Sequence, residues 1–199
     1  MQPFILASQS PRRQMLLTWA DVPFEVIISD SDETFPANMD LNEVPVFIAK
    51  NKAQAVHEKI ILSYPQHLNK NIVAADTIVV LAGNVLGKPS NKQEAIASLT
   101  ALSGKTHQVI TGVVLRYQGK EYSFSETTLV TFNNLTLEQI EYYVENYKPY
   151  DKAGGYAIQE WIGVVGIQSI EGDFYNVMGL PVSKLLQKIK KVIFRRIMK

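Results

Sequence analysis

"FILASQSPRRQMLL", residues 4–17, sets a short apolar run and the start of a helix only three residues apart. Phe4–Ala7 reads as a buried strand, Ser10 as an N-cap, Pro11 as the first helical residue, and Met15, Leu16 and Leu17 as the beginning of a buried helix face. Strand, tight turn and helix in that order are the opening of an α/β fold. The same stretch places Arg12 and Arg13 in the first helical turn. There the macrodipole and the unpaired backbone N–H groups favour negative charge, and each cation costs about 0.3–1 kcal/mol. An anion resting on the turn would offset that cost. The helix end attracts phosphate, arginines add bidentate contacts, and Ser8 and Ser10 supply hydroxyl donors. The alternative is that both side chains curl into solvent. An exposed first-turn arginine would not hold the core, so Arg13→Ala is expected to leave the fold intact and even to stabilise it slightly.

Outward from this stretch, strands and helices interleave. Residues 24–29 read as a second strand and 30–43 as an exposed, turn-rich loop. A helix is expected over 45–61, with Val46, Ala49, Ala53, Val56 and Ile60 on one face. Residues 71–89 read as a strand, a turn at Gly83-Asn84 and a short return. Asn91 and Glu94 have capping-box spacing for a helix that stops near Gly104. Residues 106–133 alternate as two antiparallel strands around Gln118-Gly119. Thr136 and Gln139 cap the next helix, and a strand is expected near 163–170. An amphipathic helix runs from Pro181, with Val182, Leu185, Leu186, Ile189 and Ile193 on its face. Hairpins in the second half favour a mixed α/β sheet over a purely parallel one.

The chain has 199 residues, 46% of them hydrophobic and 20% charged, with a net charge of +1 and no cysteine. Such a length supports one domain spanning residues 1–199. The near-neutral charge gives no global argument for nucleic acid. Without cysteine there is no disulfide, thiol nucleophile or thiolate metal site, which fits a reducing cytoplasm. No apolar run approaches a membrane span, and the N-terminal charges follow the apolar run, the wrong order for a secretory signal. The basic segment 188–199 is expected to be a solvated helix face, its cations at the favourable C-terminal end.

Two further stretches carry chemistry. In "AADTIVV" Asp76 and Thr77 interrupt an otherwise apolar strand. A carboxylate there must be exposed at the strand's end, hydrogen-bonded, or bound to a cation. "GNVLGKP" is not a P-loop: three residues, not four, separate Gly83 from Gly87, and proline follows Lys88. Lys88 either meets a phosphate as a point charge or is a solvated hairpin lysine. His57, His67 and His107 are far apart in sequence, and neither H-E-x-x-H nor G-x-S-x-G occurs.

Taken together, "LASQSPRRQMLL", "AADTIVVLAGNVLGKP", "LSGKTHQVITGV" and "DKAGGYAIQ…IEGDFYNVMGLPVSKL" resemble the Maf family, in order and over nearly the whole chain. The resemblance implies a nucleoside triphosphate pyrophosphatase that cleaves between the α- and β-phosphates with Mg²⁺ or Mn²⁺. It implies an elongated mixed sheet with flanking helices forming two lobes around a cleft, inosine triphosphatase-like, and often a homodimer. By its motifs Ser8, Arg12, Arg13, Lys52 and Lys88 bind phosphate, Glu33 and Asp76 face the metal, and Asp76 accepts the proton. Arg12, Thr77 and Gln159 together look like the dTTP/UTP branch. Lys105, Glu160 and "GDFYN" depart from the more usual residues without removing a catalytic group. Two alternatives remain: a pyrophosphatase for another nucleotide, such as a 7-methyl-GTP-like one, and a nucleotide-sensing regulator of division.

Overall fold

In the computed structural model, which describes residues 2–197 and the side chains of residues 2–191, the opening strand β1 (Phe4–Leu6) is fully buried. It pairs in parallel with β2 (Phe24–Val26) on one side and β3 (Ile72–Leu81) on the other. Strands β4 (Asn84–Leu86), β5 (Thr106–Tyr117), β6 (Lys120–Phe132) and β7 (Ile167–Glu171) complete one sheet. Its order is β2-β1-β3-β5-β6-β7, with β4 paired to β3. The β3–β4 and β6–β7 pairs are antiparallel, so the sheet is mixed and helices intervene between its strands, as the sequence pattern requires. β2 is shorter than residues 24–29 because β1, its pairing template, is itself three residues long.

The chain divides into two compact units. The first comprises residues 1–76, 112–125 and 179–199. It holds helices α1 (Pro11–Trp19), α2 (Val44–Ser63) and α7 (Val182–Ile197). Its core packs Ile5, Ala7, Ile27, Ile72, Ala74 and Val114 against Ala49, Ala53, Val56 and Ile60 of α2. Val46, expected on that face, is only half-buried, and Val44, Pro45 and Ile48 are buried instead. At its N-terminal end α2 lies backbone to backbone on β5. A Cβ at Gly112 would stand 2.2 Å from the backbone nitrogen of Val46, so only glycine admits this approach. On α7, Val182, Leu185 and Ile189 are buried and Leu186 is half-buried. Ile193 and the basic residues beyond Lys191 lie outside the described side chains.

The second unit comprises residues 77–111 and 126–178, with α3 (Lys92–Leu102) and α4 (Leu137–Tyr147) packed together. Thr136 and Gln139 form the full capping box of α4. At α3 only one arm follows the expected pattern: Asn91 accepts from the Glu94 N–H, while the Glu94 carboxylate accepts from the Ser90 N–H. The strand expected near 163–170 begins instead as helix α5 (Trp161–Gly166), and β7 follows it. The run "IGVVGIQSI" has strand-like composition. The Gly163 and Val164 N–H groups, however, both donate to the Glu160 carbonyl. A Cβ at Gly163 would fall 1.8 Å from the Ile158 carbonyl oxygen, so glycine lets the chain coil there.

His107 is buried in this unit, stacked on Phe132 and edge-on to Tyr156, with Nε2 2.7 Å from the Tyr156 hydroxyl. Burial lowers its pKa to about 4, so the folded chain keeps it neutral where the unfolded chain protonates it. Stability therefore falls as pH drops through the window from about 6.5 to about 4, by on the order of 3 kcal/mol for this group. Urea titrations across that window should show the loss in wild type and a flatter profile in His107→Gln. Identical slopes in the two proteins would remove His107 as its source.

Candidate active site

Asp76 is the fifth of ten residues in β3 and only 8% exposed. It is therefore not a strand-end carboxylate. It lies between the stretch of β3 that pairs with β1, Ile72–Val73, and the stretch that pairs with β4, Val79–Leu81. Its partner comes from α2. Lys52 stands one residue before the fully buried Ala53, so its stem leaves the helix beside the buried face, and its Nζ reaches Asp76 Oδ1 at 2.6 Å. The same nitrogen lies 2.7 Å from Oε1 of Glu33, an exposed residue of the 30–43 loop. One ammonium thus bridges two carboxylates separated by 43 positions in the chain.

The two first-turn arginines part company. Ser10 occupies the N-cap position but its side chain makes no capping bond; its N–H donates to Ser8 Oγ at 3.2 Å. Arg12 is half-buried. Arg13 is buried, with 8% exposure, which overturns the expectation of an exposed side chain. Its Nε donates to the Gly179 carbonyl at 2.8 Å and an Nη to Ser8 Oγ at 3.0 Å. Burial pulls the guanidinium below its ordinary pKa, and the charges of Asp76 and Glu33 act in the opposite direction. Ser8, Arg13, Glu33, Lys52 and Asp76 are thereby brought into one polar cluster of the first unit, with Arg12 close enough for its charge to act on Arg13.

Thr77, Lys88 and Gln159 belong to the second unit. "GNVLGKP" forms a hairpin whose two-residue turn, Ala82-Gly83, has both residues at positive φ; Lys88 is exposed just beyond β4. Gln159 is exposed in a tight turn whose flanks are pinned. The Ala157 N–H donates to the Tyr143 hydroxyl, that hydroxyl donates to the Glu160 carboxylate, and Lys152 lies 3.5 Å from Glu160.

Thr77 leads into a buried polar chain absent from the sequence reading. Its Oγ1 is 2.9 Å from Thr111 Oγ1, and Thr111 donates to the Asn176 carbonyl at 3.0 Å. Asn176 Nδ2 donates to the Val109 carbonyl and to Thr128 Oγ1, each at 3.0 Å. Thr111, Thr128 and Asn176, the last on the short helix α6 (Phe174–Met178), are fully buried. Thr111 stands in an otherwise apolar run, but threonine is too common in strands to mark it.

The Maf-like protein family model matches residues 3–192. The chain belongs to the Maf family. A relative from Parabacteroides distasonis named dTTP/UTP pyrophosphatase is 50% identical over 187 residues, covering 94% of each chain. Relatives of the same name from Porphyromonas gingivalis and Phocaeicola vulgatus are 47% and 48% identical, covering 94% of this chain and 92% and 95% of theirs. Among solved structures, the Staphylococcus aureus Ham1 protein aligns with 66% of this chain and 72% of its own at a TM-score of 0.43 and 16% identity. Among the described residues no helix of this Maf protein is long and apolar enough to cross a membrane.

The burial of Arg13 reverses the expectation for its removal. Arg13→Ala leaves the Gly179 carbonyl and Ser8 Oγ without their charged donor, and should cost about 2–4 kcal/mol of stability. Lysine, lacking the guanidinium fork, should not restore it. Urea denaturation of the ligand-free protein should show a lowered midpoint for both variants. An unchanged or raised midpoint would return the side chain to solvent.

Proposed function

We propose that this Maf protein hydrolyses dTTP and UTP between the α- and β-phosphates, releasing the nucleoside monophosphate and pyrophosphate. The observation that carries the reading is the cluster around Lys52: an ammonium against Asp76 and Glu33, with the guanidinium of Arg13 on the same unit. A triphosphate carries about four negative charges, and its cleavage needs cations to position it and carboxylates to handle metal and water. The names of relatives at 47–50% identity support the substrate. The family model, running through residues 3–192, supports treating residues 1–199 as one catalytic domain. The proposed setting is the cytoplasm, as a homodimer without nucleic-acid or membrane partners.

In this reading Arg12, Arg13, Lys52, Lys88 and the Ser8 hydroxyl bind phosphate oxygens. Gly179 and Ser8 hold the Arg13 charge in place, so less ordering is left for the moment of binding. Asp76 accepts the proton of the attacking water, and Lys52 fixes the orientation of that carboxylate. Glu33 and Asp76 are the residues that would hold Mg²⁺ or Mn²⁺. The donor set fits: both are hard oxygen ligands, both reach one cationic nitrogen, and Mg²⁺ sites commonly pair one or two carboxylates with substrate phosphates. When bound, the metal would neutralise charge developing on the phosphates. Gln159 and Thr77 read the base, whose imide edge presents an N3–H between two carbonyls.

A panel of nucleoside triphosphates with Mg²⁺ or Mn²⁺, read by product analysis, tests the proposal. Pyrophosphate should be released, with dTTP and UTP preferred over ATP and GTP. Orthophosphate as the initial product, or faster turnover of purine nucleotides, would sink it. Asp76→Asn keeps the size and one acceptor oxygen but loses the charge and basicity. It should bind nucleotide while losing on the order of 10²–10⁴-fold in kcat, measured by single-turnover hydrolysis beside a binding titration. Wild-type turnover would leave Asp76 as a partner of Lys52 alone.

A further inference from the structure

The buried chain behind Thr77 fixes the direction of a proton. At the contact between Thr111 Oγ1 and the Asn176 carbonyl, 3.0 Å long, a carbonyl cannot donate, so the proton belongs to Thr111. A hydroxyl has one proton. At the second contact, 2.9 Å between the hydroxyls of Thr77 and Thr111, Thr111 must therefore accept and Thr77 must donate. The acceptor is the main-chain carbonyl of Asn176, and the residue is held in place because it is wholly buried and its side-chain amide donates to the Val109 carbonyl and to Thr128 Oγ1.

We propose that Thr111, backed by Asn176, is a positioning residue for base selection: it commits the Thr77 proton inward, so that Thr77 meets the base as an acceptor only. The proposal rests on the reading that Thr77 contacts the base. Uracil and thymine carry a proton on N3 and satisfy such an acceptor. Cytosine carries a lone pair on N3 and would set acceptor against acceptor, an unpaired contact that a polar site penalises strongly. A free glutamine amide can flip to suit either base, whereas a hydroxyl with its proton already committed cannot. Selection of N3–H pyrimidines over cytosine is thus assigned to a buried residue that need not touch the nucleotide.

The test compares kcat/KM for UTP and CTP in wild type, Thr111→Val, Thr111→Ser and Thr77→Val. Thr111→Val keeps the shape, removes the acceptor and frees the Thr77 proton, so the UTP-to-CTP ratio should fall about tenfold, chiefly through a gain on CTP. Thr111→Ser, which retains the hydroxyl, should restore the wild-type ratio. A merely structural role would lower both nucleotides together and leave the ratio unchanged, and that result overturns the proposal. Thr77→Val separates the two failures. If it leaves the ratio untouched, Thr77 does not read the base and the underlying reading falls. If it shifts the ratio and Thr111→Val does not, the relay alone falls. Should Thr111→Val not fold, neutron diffraction on deuterated wild-type protein decides. Deuterium on Thr77 directed at Thr111 supports the relay, and deuterium on Thr111 directed at Thr77 overturns it.

Discussion

A carboxylate in the middle of a buried strand must have a cation beside it. Isolated, the Asp76 charge would cost several kcal/mol even after relaxation of its surroundings, a large share of a domain's net stability. Ala74, Ala75 and Ile78 on β3 are buried and apolar, and the Thr77 hydroxyl beside Asp76 is engaged with Thr111. The donor is Lys52, and Lys52 is where it is because α2 lies hard against the sheet. That approach depends on Gly112, whose missing side chain makes room for the backbone of Pro45 and Val46. The small residues Ala49 and Ala53 continue the close contact along the helix. A glycine on one strand and alanines on one helix thus determine the position of an ammonium, and the ammonium makes the carboxylate tolerable.

The arginines at the start of α1 fit the same electrostatic scheme. Cations at the positive end of a helix are unfavourable on local grounds. Here the carboxylates of Asp76 and Glu33 act on Arg13 against the effect of burial. The cost seen locally is offset by charges contributed from β3 and from the 30–43 loop. With Arg12 nearby, three cations stand against two carboxylates, so only a small positive excess is left for an anion.

Local pattern was legible in the sequence and long-range placement was not. The strand–turn–helix opening, the hairpin at Gln118-Gly119 and the capping box of α4 all depend on residues within a few positions of one another, and they appear as read; the first hairpin turns one residue earlier than expected, at Ala82-Gly83. A first-turn position says nothing about what packs over Arg13, whose acceptor Gly179 is 166 positions away. Residues 163–166 suit a strand by composition, while the helix follows from carbonyl partners at Ile158 and Glu160. In the site, Asp76 stood out as a charge in an apolar run. Its contact with Lys52 across 24 positions had no spacing signal. Thr111 was hidden for a different reason: threonine is common in strands, and only the hydrogen-bond chain gives it a role.

The first unit is assembled from three separate stretches of chain, the last beginning at Gly179. Its carbonyl at that very residue receives the Arg13 side chain, so the first helix of the protein is secured by one of its last segments. On the ribosome this imposes an order of events. The opening strand, α1 and α2 emerge early, yet the acceptor for the buried guanidinium does not exist until about nine-tenths of the chain has been made. Contacts of such sequence separation are late and slow to form. Until then the guanidinium stays in water, and its buried position can form only when synthesis is nearly finished.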